Sequence, residues 1–284
     1  MNGYNFIINK QINWAKNNDI ELIGKKIDRG RKSYTKDLKD NIFQGLKKEV
    51  KSDISQGQGG ELDNYPPKMS AVHSSSALGI NIFQYWKYTN QISKIAYACR
   101  FCNKENKISK DIKFEQKYSI IKGFNHHPNI DIIIKNKDDH KYRVYGIESK
   151  FSEPYQGHNH SGIKKVYLDL DIWEDIPKLK LLAEDISPDD KEYKYLHAAQ
   201  LIKHILGLKN TYGKSRFRLL YLWYNVPGEE GAKHKNEIEE FKKIVKQDNI
   251  IFHDLSYQEL IIKLSNHYRE QHNEYIKYIS ERYL

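Results

Sequence analysis

Asn129-Ile130-Asp131-Ile132-Ile133-Ile134 and Tyr142-Arg143-Val144-Tyr145-Gly146-Ile147-Glu148-Ser149-Lys150-Phe151 are the two stretches whose reading decides the fold. The first is almost pure β-branched sequence carrying one carboxylate, and the second reads as a strand whose far end holds Glu148 and Lys150. Between them, Lys135-Asn136-Lys137-Asp138-Asp139-His140-Lys141 is too polar to bury and rich in turn formers, so the spacing predicts a hairpin. Side chains alternate across a strand, which puts Glu148 and Lys150 on one face. Pairing with the first strand then brings Asp131 beside them.

A carboxylate inside an apolar strand costs stability unless it is paired, hydrogen-bonded or bound to a cation. Two carboxylates and one lysine compensate one another in part, and the residual negative oxygens suit a hard divalent cation such as Mg²⁺ or Mn²⁺. Such a cation neutralises charge developing on a phosphoryl oxygen, while the lysine positions or deprotonates water. The competing reading is a buried structural ion pair. Glu-x-Lys recurs at Glu49, Glu105, Glu115, Glu192 and Glu240, as expected in a chain with 30% charged residues. Only at Glu148 does it end an apolar strand that follows another strand with an embedded Asp.

The 284 residues suffice for a substantial core, read as residues 1–68, an N-terminal helical extension with a basic segment and a Gly-rich loop, and residues 69–284, the main domain. Lys and Arg number 47 against 37 acidic residues, a formal charge of +10 that favours a polyanionic partner. No run approaches the roughly 18 apolar residues of a membrane span, and the start lacks the apolar core of a signal peptide, so a soluble cytoplasmic protein is expected. Cys99 and Cys102 form a single Cys-x-x-Cys, at most half of a four-thiolate zinc site. Two thiols on a helix or its following turn is the simpler reading, with a redox pair or a zinc site completed by histidines as the alternatives.

Along the chain, one amphipathic helix is expected before residue 32, then the cluster Lys25-Lys26-Ile27-Asp28-Arg29-Gly30-Arg31-Lys32, whose Arg29, Arg31 and Lys32 suit phosphate contacts. A helix is expected over 35–51 and another from Ser74, separated by a Gly- and Pro-rich segment containing Glu61. The stretch 111–121 alternates, with Ile112, Phe114, Tyr118 and Ile120 on one side and Glu115 on the polar side, as a half-buried strand does. Beyond Lys150 lies a polar loop with His158, His160, Lys164 and Lys165, placed to contact substrate. A helix over 192–208 carries His197, Gln200 and His204 on one face. The run 217–226 reads as a buried central strand, followed by a helix, a short strand and closing helices. This order gives an α/β fold with a mixed central β-sheet flanked by helices.

Asp131 followed by Glu148-Ser149-Lys150, with Pro128 just upstream, resembles the PD-(D/E)xK nuclease superfamily. The blocks Ser33-Tyr34-Thr35-Lys36-Asp37-Leu38, Pro66-Pro67-Lys68-Met69, His73-Ser74-Ser75-Ser76-Ala77-Leu78 and Ala199-Gln200-Leu201-Ile202-Lys203-His204 resemble a family of bacterial restriction endonucleases. Gln200 to His204 is similar to the Gln-x-x-x-Tyr signature of some superfamily members, with His204 in place of tyrosine. The resemblance implies a restriction-endonuclease-like core and a Mg²⁺-dependent enzyme, Mn²⁺ substituting, that cuts double-stranded DNA as a type II restriction enzyme. It implies Asp131, Glu148 and the Ser149 carbonyl as metal ligands, Lys150 acting on the attacking water, and Glu115 and Gln200 completing the catalytic set. A homodimer and a companion DNA methyltransferase follow by analogy. A repair or recombination nuclease, or a non-catalytic nucleic-acid-binding protein, are the alternatives.

Overall fold

The computed structural model describes residues 2–26, 30–57, 59–121, 127–157 and 159–284. The chain enters through α1 (Gly3–Asn17), a ribbon of β1 (Leu22–Gly24) and β2 (Lys32–Thr35), and then α2 (Lys48–Ser55), α3 (Ser75–Tyr88) and α4 (Ile92–Ala98). The expected hairpin follows: β3 (Ser109–Lys117), β4 (Asn129–Asn136) and β5 (Val144–Lys150) pair antiparallel, with Ile132 opposite Ile147. Past β5 come a small ribbon of β6 (His160–Ser161) and β7 (Asp189–Asp190), with α5 (Lys165–Leu168) and α6 (Pro177–Asp185) between its strands. The chain ends with α7 (Ala198–Tyr212), β8 (Phe217–Trp223), α8 (Glu229–Gln247), β9 (Phe252–Ser256), α9 (Tyr257–Tyr268) and α10 (Asn273–Tyr283).

Among the described residues, five strands make one mixed sheet in the order β3-β4-β5-β8-β9, with β8 parallel to both β5 and β9. The predicted central strand is therefore real, and its continuous apolar run is explained by burial on both faces: Leu220 and Leu222 pack on one side, Leu219, Tyr221 and Trp223 on the other. Residues from α3, α4, α9 and α10 cover the first face with Ile132, Ile134, Tyr145 and Ile147. Those from α6, α7 and α8 cover the second with Ile133 and Val144. Each such aliphatic side chain contributes about 1.5–3 kcal/mol on burial.

Residues 1–68 share this core. Ile7, Ile42, Val50 and Ile54 join the first cluster, and the buried Arg282 of α10 donates to Gln11 Oε1 of α1 and to the Asn41 carbonyl. Cys99 and Cys102 are free thiols directly after α4, as the simpler reading had it. No helix among the described residues is long and apolar enough to cross a membrane.

Three local expectations are corrected. The helix over 35–51 is interrupted: Thr35 pairs with Leu22 in the ribbon, Leu38–Asn41 makes only a short 3₁₀ turn, and Gln44 and Gly45 take φ of 56° and 70°, so an α-helix starts only at α2. The helix over 192–208 begins at Ala198, because the Glu237 carboxylate of α8 accepts the backbone N–H groups of Lys194, Tyr195 and Leu196 and holds the approach segment out of helical geometry. The strand over 111–121 does not keep one apolar side. Ile112 and Phe114 pack on the first face but Tyr118 and Ile120 on the second. The alternation inverts at Glu115, whose φ of 51° is left-handed.

Helix α7 packs against the sheet and the end of β3 through glycine contacts. A Cβ at Gly207 would stand 2.9 Å from Tyr118 Cβ and 3.0 Å from the Tyr118 carbonyl oxygen, and one at Gly146 would stand 3.2 Å from Leu208 Cδ1. Alanine favours a helix interior over glycine by about 1 kcal/mol, yet here the backbone contact wins. Gly207→Ala is therefore expected to destabilise the protein by about 1–3 kcal/mol in urea unfolding, and an unchanged or raised midpoint would show that α7 has room to spare.

Candidate active site

Strand β5 runs beside α7 with its even-numbered residues turned toward the helix, so Glu148 and Lys150 project together onto that side. Ser149 points the other way, its hydroxyl 2.5 Å from the Tyr257 hydroxyl of α9. The β4–β5 ladder ends at Ile132 and Ile147. One step further, Asp131 Oδ2 accepts the backbone N–H of Ser149 at 2.7 Å, which fixes this carboxylate against the end of β5.

Glu148 is fully buried. Its Oε2 lies 2.8 Å from His204 Nε2, and its Oε1 lies 2.6 Å from Lys150 Nζ. The second contact is a close, buried ion pair that occupies Oε1. Lys150 Nζ also donates to Gln200 Oε1 at 3.0 Å. Burial pushes the Glu148 carboxyl up, but Lys150 and His204 outweigh it and hold it at about 2. Burial likewise opposes the Lys150 ammonium, yet Glu148, Asp131 and Glu153 keep its pKa above the ordinary lysine value. Glu148 is an anion and Lys150 a cation.

The neighbouring carboxylates behave oppositely. Burial, then repulsion from Glu148 and Glu115, lifts Asp131 well above its usual range. Burial, then Glu148 and Glu61, lifts Glu115 to about 7. The β3–β4 register sets Phe114 opposite Ile132 and Gln116 opposite Ile130, so Glu115 stands opposite Asp131, the one unpaired step in that run of the ladder. Glu115 Oε2 accepts from Asn129 Nδ2 at 2.7 Å. The segment after α2 closes over it: a Cβ at Gly57 would stand 3.1 Å from Glu115 Oε2. Left-handed backbone at a non-glycine residue costs on the order of 1 kcal/mol and clusters at functional sites.

The fold thus brings together Asp131, Glu148, Lys150, Glu115 and Gln200. Glu61 acts on Glu115 electrostatically and hydrogen-bonds Ser76 at the start of α3. Lys164 and Lys165 are exposed at the head of α5. His160 stacks on His197, with ring centroids 4.7 Å apart, and pairs through Nε2 with the Lys194 carbonyl. Arg31 is held by the Asn5 and Asn9 side chains of α1, and Lys32 is exposed on β2. Arg29 and His158 lie outside the described residues. Two residues of α7 escaped the sequence reading: His204 as the partner of Glu148, and Lys203, whose charge feels Lys164 and Glu148. The signal was the spacing 200, 203, 204 on one helix.

Among the described residues no three His, Cys, Asp or Glu side chains form a ready metal-binding group. The donor chemistry nevertheless fits a hard divalent cation. Asp131 and Glu115 are carboxylates raised by burial and by neighbouring carboxylates, Asp131 by Glu148 and Glu115 and Glu115 by Glu148 and Glu61, while the Lys150 ammonium lies against the buried Glu148 Oε1 at 2.6 Å.

These shifts have a consequence for stability. Glu115 titrates near 7 when folded and near roughly 4.3 when unfolded. Across that window the folded chain keeps a proton the unfolded chain has released, so this group's contribution to stability falls as pH rises. His197 and His234, depressed to about 3 by burial, tilt stability the other way, so the informative quantity is a difference. In EDTA, Glu115→Gln is expected to gain stability over wild type by about 2 kcal/mol between pH 4.5 and 7.5, read by urea unfolding. A difference flat with pH would mean that Glu115 is not crowded by its neighbours.

No curated protein and no solved structure matches the chain. Residues 9–284 match the family described as Restriction Endonuclease associating with ARP. With that match spanning nearly its whole length, on a mixed α/β fold whose hairpin gathers Asp131, Glu148 and Lys150, the chain belongs to this family of restriction endonucleases, which are DNA endonucleases.

Proposed function

We propose that the chain is a Mg²⁺-dependent endonuclease of the PD-(D/E)xK type, acting on double-stranded DNA as a sequence-specific type II restriction enzyme. One observation carries the reading: the fully buried Glu148 has one oxygen on His204 and the other against the Lys150 ammonium at 2.6 Å, at the strand end where the Asp131 carboxylate is fixed by the Ser149 N–H. Asp131 and Glu148 would hold the cation. In an extended strand a residue's N–H and C=O point to the same edge, and the Ser149 N–H points to Asp131. The Ser149 carbonyl therefore faces the same side and would complete the ligand set. A bound Mg²⁺ supplies electrostatic neutralisation at the phosphoryl oxygens.

The chain's own residues do the rest. Lys150, kept protonated by Glu148 and Asp131, orients the attacking water and offers its N–H bonds to the phosphate, while Gln200 fixes the direction of its ammonium. Glu115, titrating near 7, suits exchange of a proton with that water. Lys164 and Lys203 supply positive charge on the α7 side, where the DNA backbone would pass. A homodimer, with two such sites cutting the two strands, and a companion methyltransferase complete the proposal.

The test is cleavage of unmethylated plasmid in Mg²⁺ or EDTA. Discrete fragments in Mg²⁺ alone are expected; trimmed ends would indicate a repair nuclease, and no cleavage a binding protein. Asp131→Asn is expected to cut at least about a hundredfold more slowly while melting no lower than wild type, because it removes a repelled carboxylate. Lys150→Ala is expected to lose both cleavage and stability, since it leaves Glu148 buried against His204 alone. Wild-type cutting by either variant would displace the active site from this hairpin.

DNA affinity is also expected to fall steeply with salt. Each neutralised phosphate adds roughly 0.9 to the slope of log K against log salt, so a slope near zero in a binding titration would rule out nucleic acid as the main partner.

A further inference from the structure

We infer that His204 is a positioning residue that locks Glu148 into presenting a single oxygen to the cation; the inference rests on the metal site proposed above. Glu148 and Lys150 lie two residues apart on a strand, roughly 6.6 Å at about 3.3 Å per residue. His204 and Gln200 lie four apart on a helix, roughly 6 Å at 1.5 Å per residue. The two repeats match, so α7, running antiparallel to β5 at this point, makes both contacts at once: His204 Nε2 to Glu148 Oε2 at 2.8 Å and Lys150 Nζ to Gln200 Oε1 at 3.0 Å.

The ionised carboxylate only accepts hydrogen bonds, so the His204 hydrogen sits on Nε2. His204 is 1% exposed, and its Nδ1 has no hydrogen-bond partner among the described residues. Its polar contact is thus directed at Glu148. With Oε2 held by His204, turning Glu148 into a two-oxygen grip would cost that hydrogen bond, and Oε1 stays turned toward Lys150. The close approach of α7 at Gly207 and Gly146 holds the ring at this depth. A second contact of this kind around a ligating carboxylate typically affects metal affinity by about 10–100-fold.

The experiment measures Mn²⁺ binding by electron paramagnetic resonance and calorimetry, without DNA, on wild type, Asp131→Asn, His204→Phe and His204→Gln. The Phe variant keeps a ring but no donor and is expected to bind Mn²⁺ about 10–100-fold more weakly. Gln places an N–H near the position of Nε2 and is expected to recover most of the loss. If wild type and Asp131→Asn bind Mn²⁺ equally, or neither binds, the metal reading itself fails and this inference falls with it. If wild type binds, Asp131→Asn does not, and His204→Phe binds as tightly as wild type, the metal site stands and the role of His204 is overturned. Should the Phe variant not fold, ¹⁵N-histidine spectra of the wild-type protein decide. A ring protonated at Nε2, protected from exchange and missing in His204→Gln, supports the inference; a rapidly exchanging or Nδ1-protonated ring overturns it.

Discussion

Glu148 is a carboxylate with no exposure to water, and the rest of the site is built around keeping it charged. An unpaired ion in such a position would cost several kcal/mol, and the attraction of partners offsets that only where their geometry is held tightly. Here the partners come from two elements, Lys150 from the same strand and His204 from α7. The helix must therefore sit at a fixed height above β5. Glycine at positions 207 and 146 allows that approach, and Leu208 packs directly over Gly146. On its other edge β5 is clamped by the parallel strand β8, with Glu148 level with Tyr221 and Lys150 with Trp223. The sheet's change from antiparallel to parallel falls on the strand that carries the chemistry.

A chain selected for stability alone would not set Glu115 opposite Asp131. Both carboxylates are raised by burial and then by the charge of Glu148, with Glu115 acting on Asp131 and Glu61 on Glu115, and Glu115 holds a left-handed backbone at the step where the ladder lapses. Removing one of these charges relieves repulsion, whereas removing Lys150 leaves a buried anion uncompensated. The two directions of effect separate a structural ion pair, which Glu148 and Lys150 alone would make, from a site poised for a further cation. Left-handed backbone by itself occurs also at Gln44 and elsewhere; what sets Glu115 apart is that it coincides with a raised carboxylate facing Asp131.

What was readable in the sequence followed from short-range physics. The hairpin rests on period-two alternation and turn residues, the buried strand over 217–226 on an unbroken apolar run, and the Ser74 start of α3 on a side chain that accepts the Ala77 N–H. The pairing of Asp131 with the end of β5 needed only the hairpin register. What was not readable depended on contacts distant in sequence. His204 meets Glu148 across 56 residues, and the spacing of Gln200, Lys203 and His204 on α7 places them together without saying that the histidine faces a carboxylate. Glu237 draws out the approach to α7 from 41 residues away or more. Glu115 looked like one member of an alternating strand, because a left-handed residue leaves no compositional trace when it is not glycine.

The electrostatics on the two sides of β5 are complementary in a way that neither side satisfies alone. Toward β3, Asp131 and Glu115 are repelled by neighbouring carboxylates. Along α7, Lys203 is lowered first by burial and then by repulsion from Lys164, while Glu148 pulls the other way. The Lys150 ammonium partly bridges the two groups, but it has one charge and lies against only one oxygen of Glu148. On the proposed reading a divalent cation would relieve the carboxylates and a phosphodiester the lysines, and the two would bring opposite charges. Each would therefore strengthen the binding of the other, with Lys150, which lies against Glu148, as the residue that couples them.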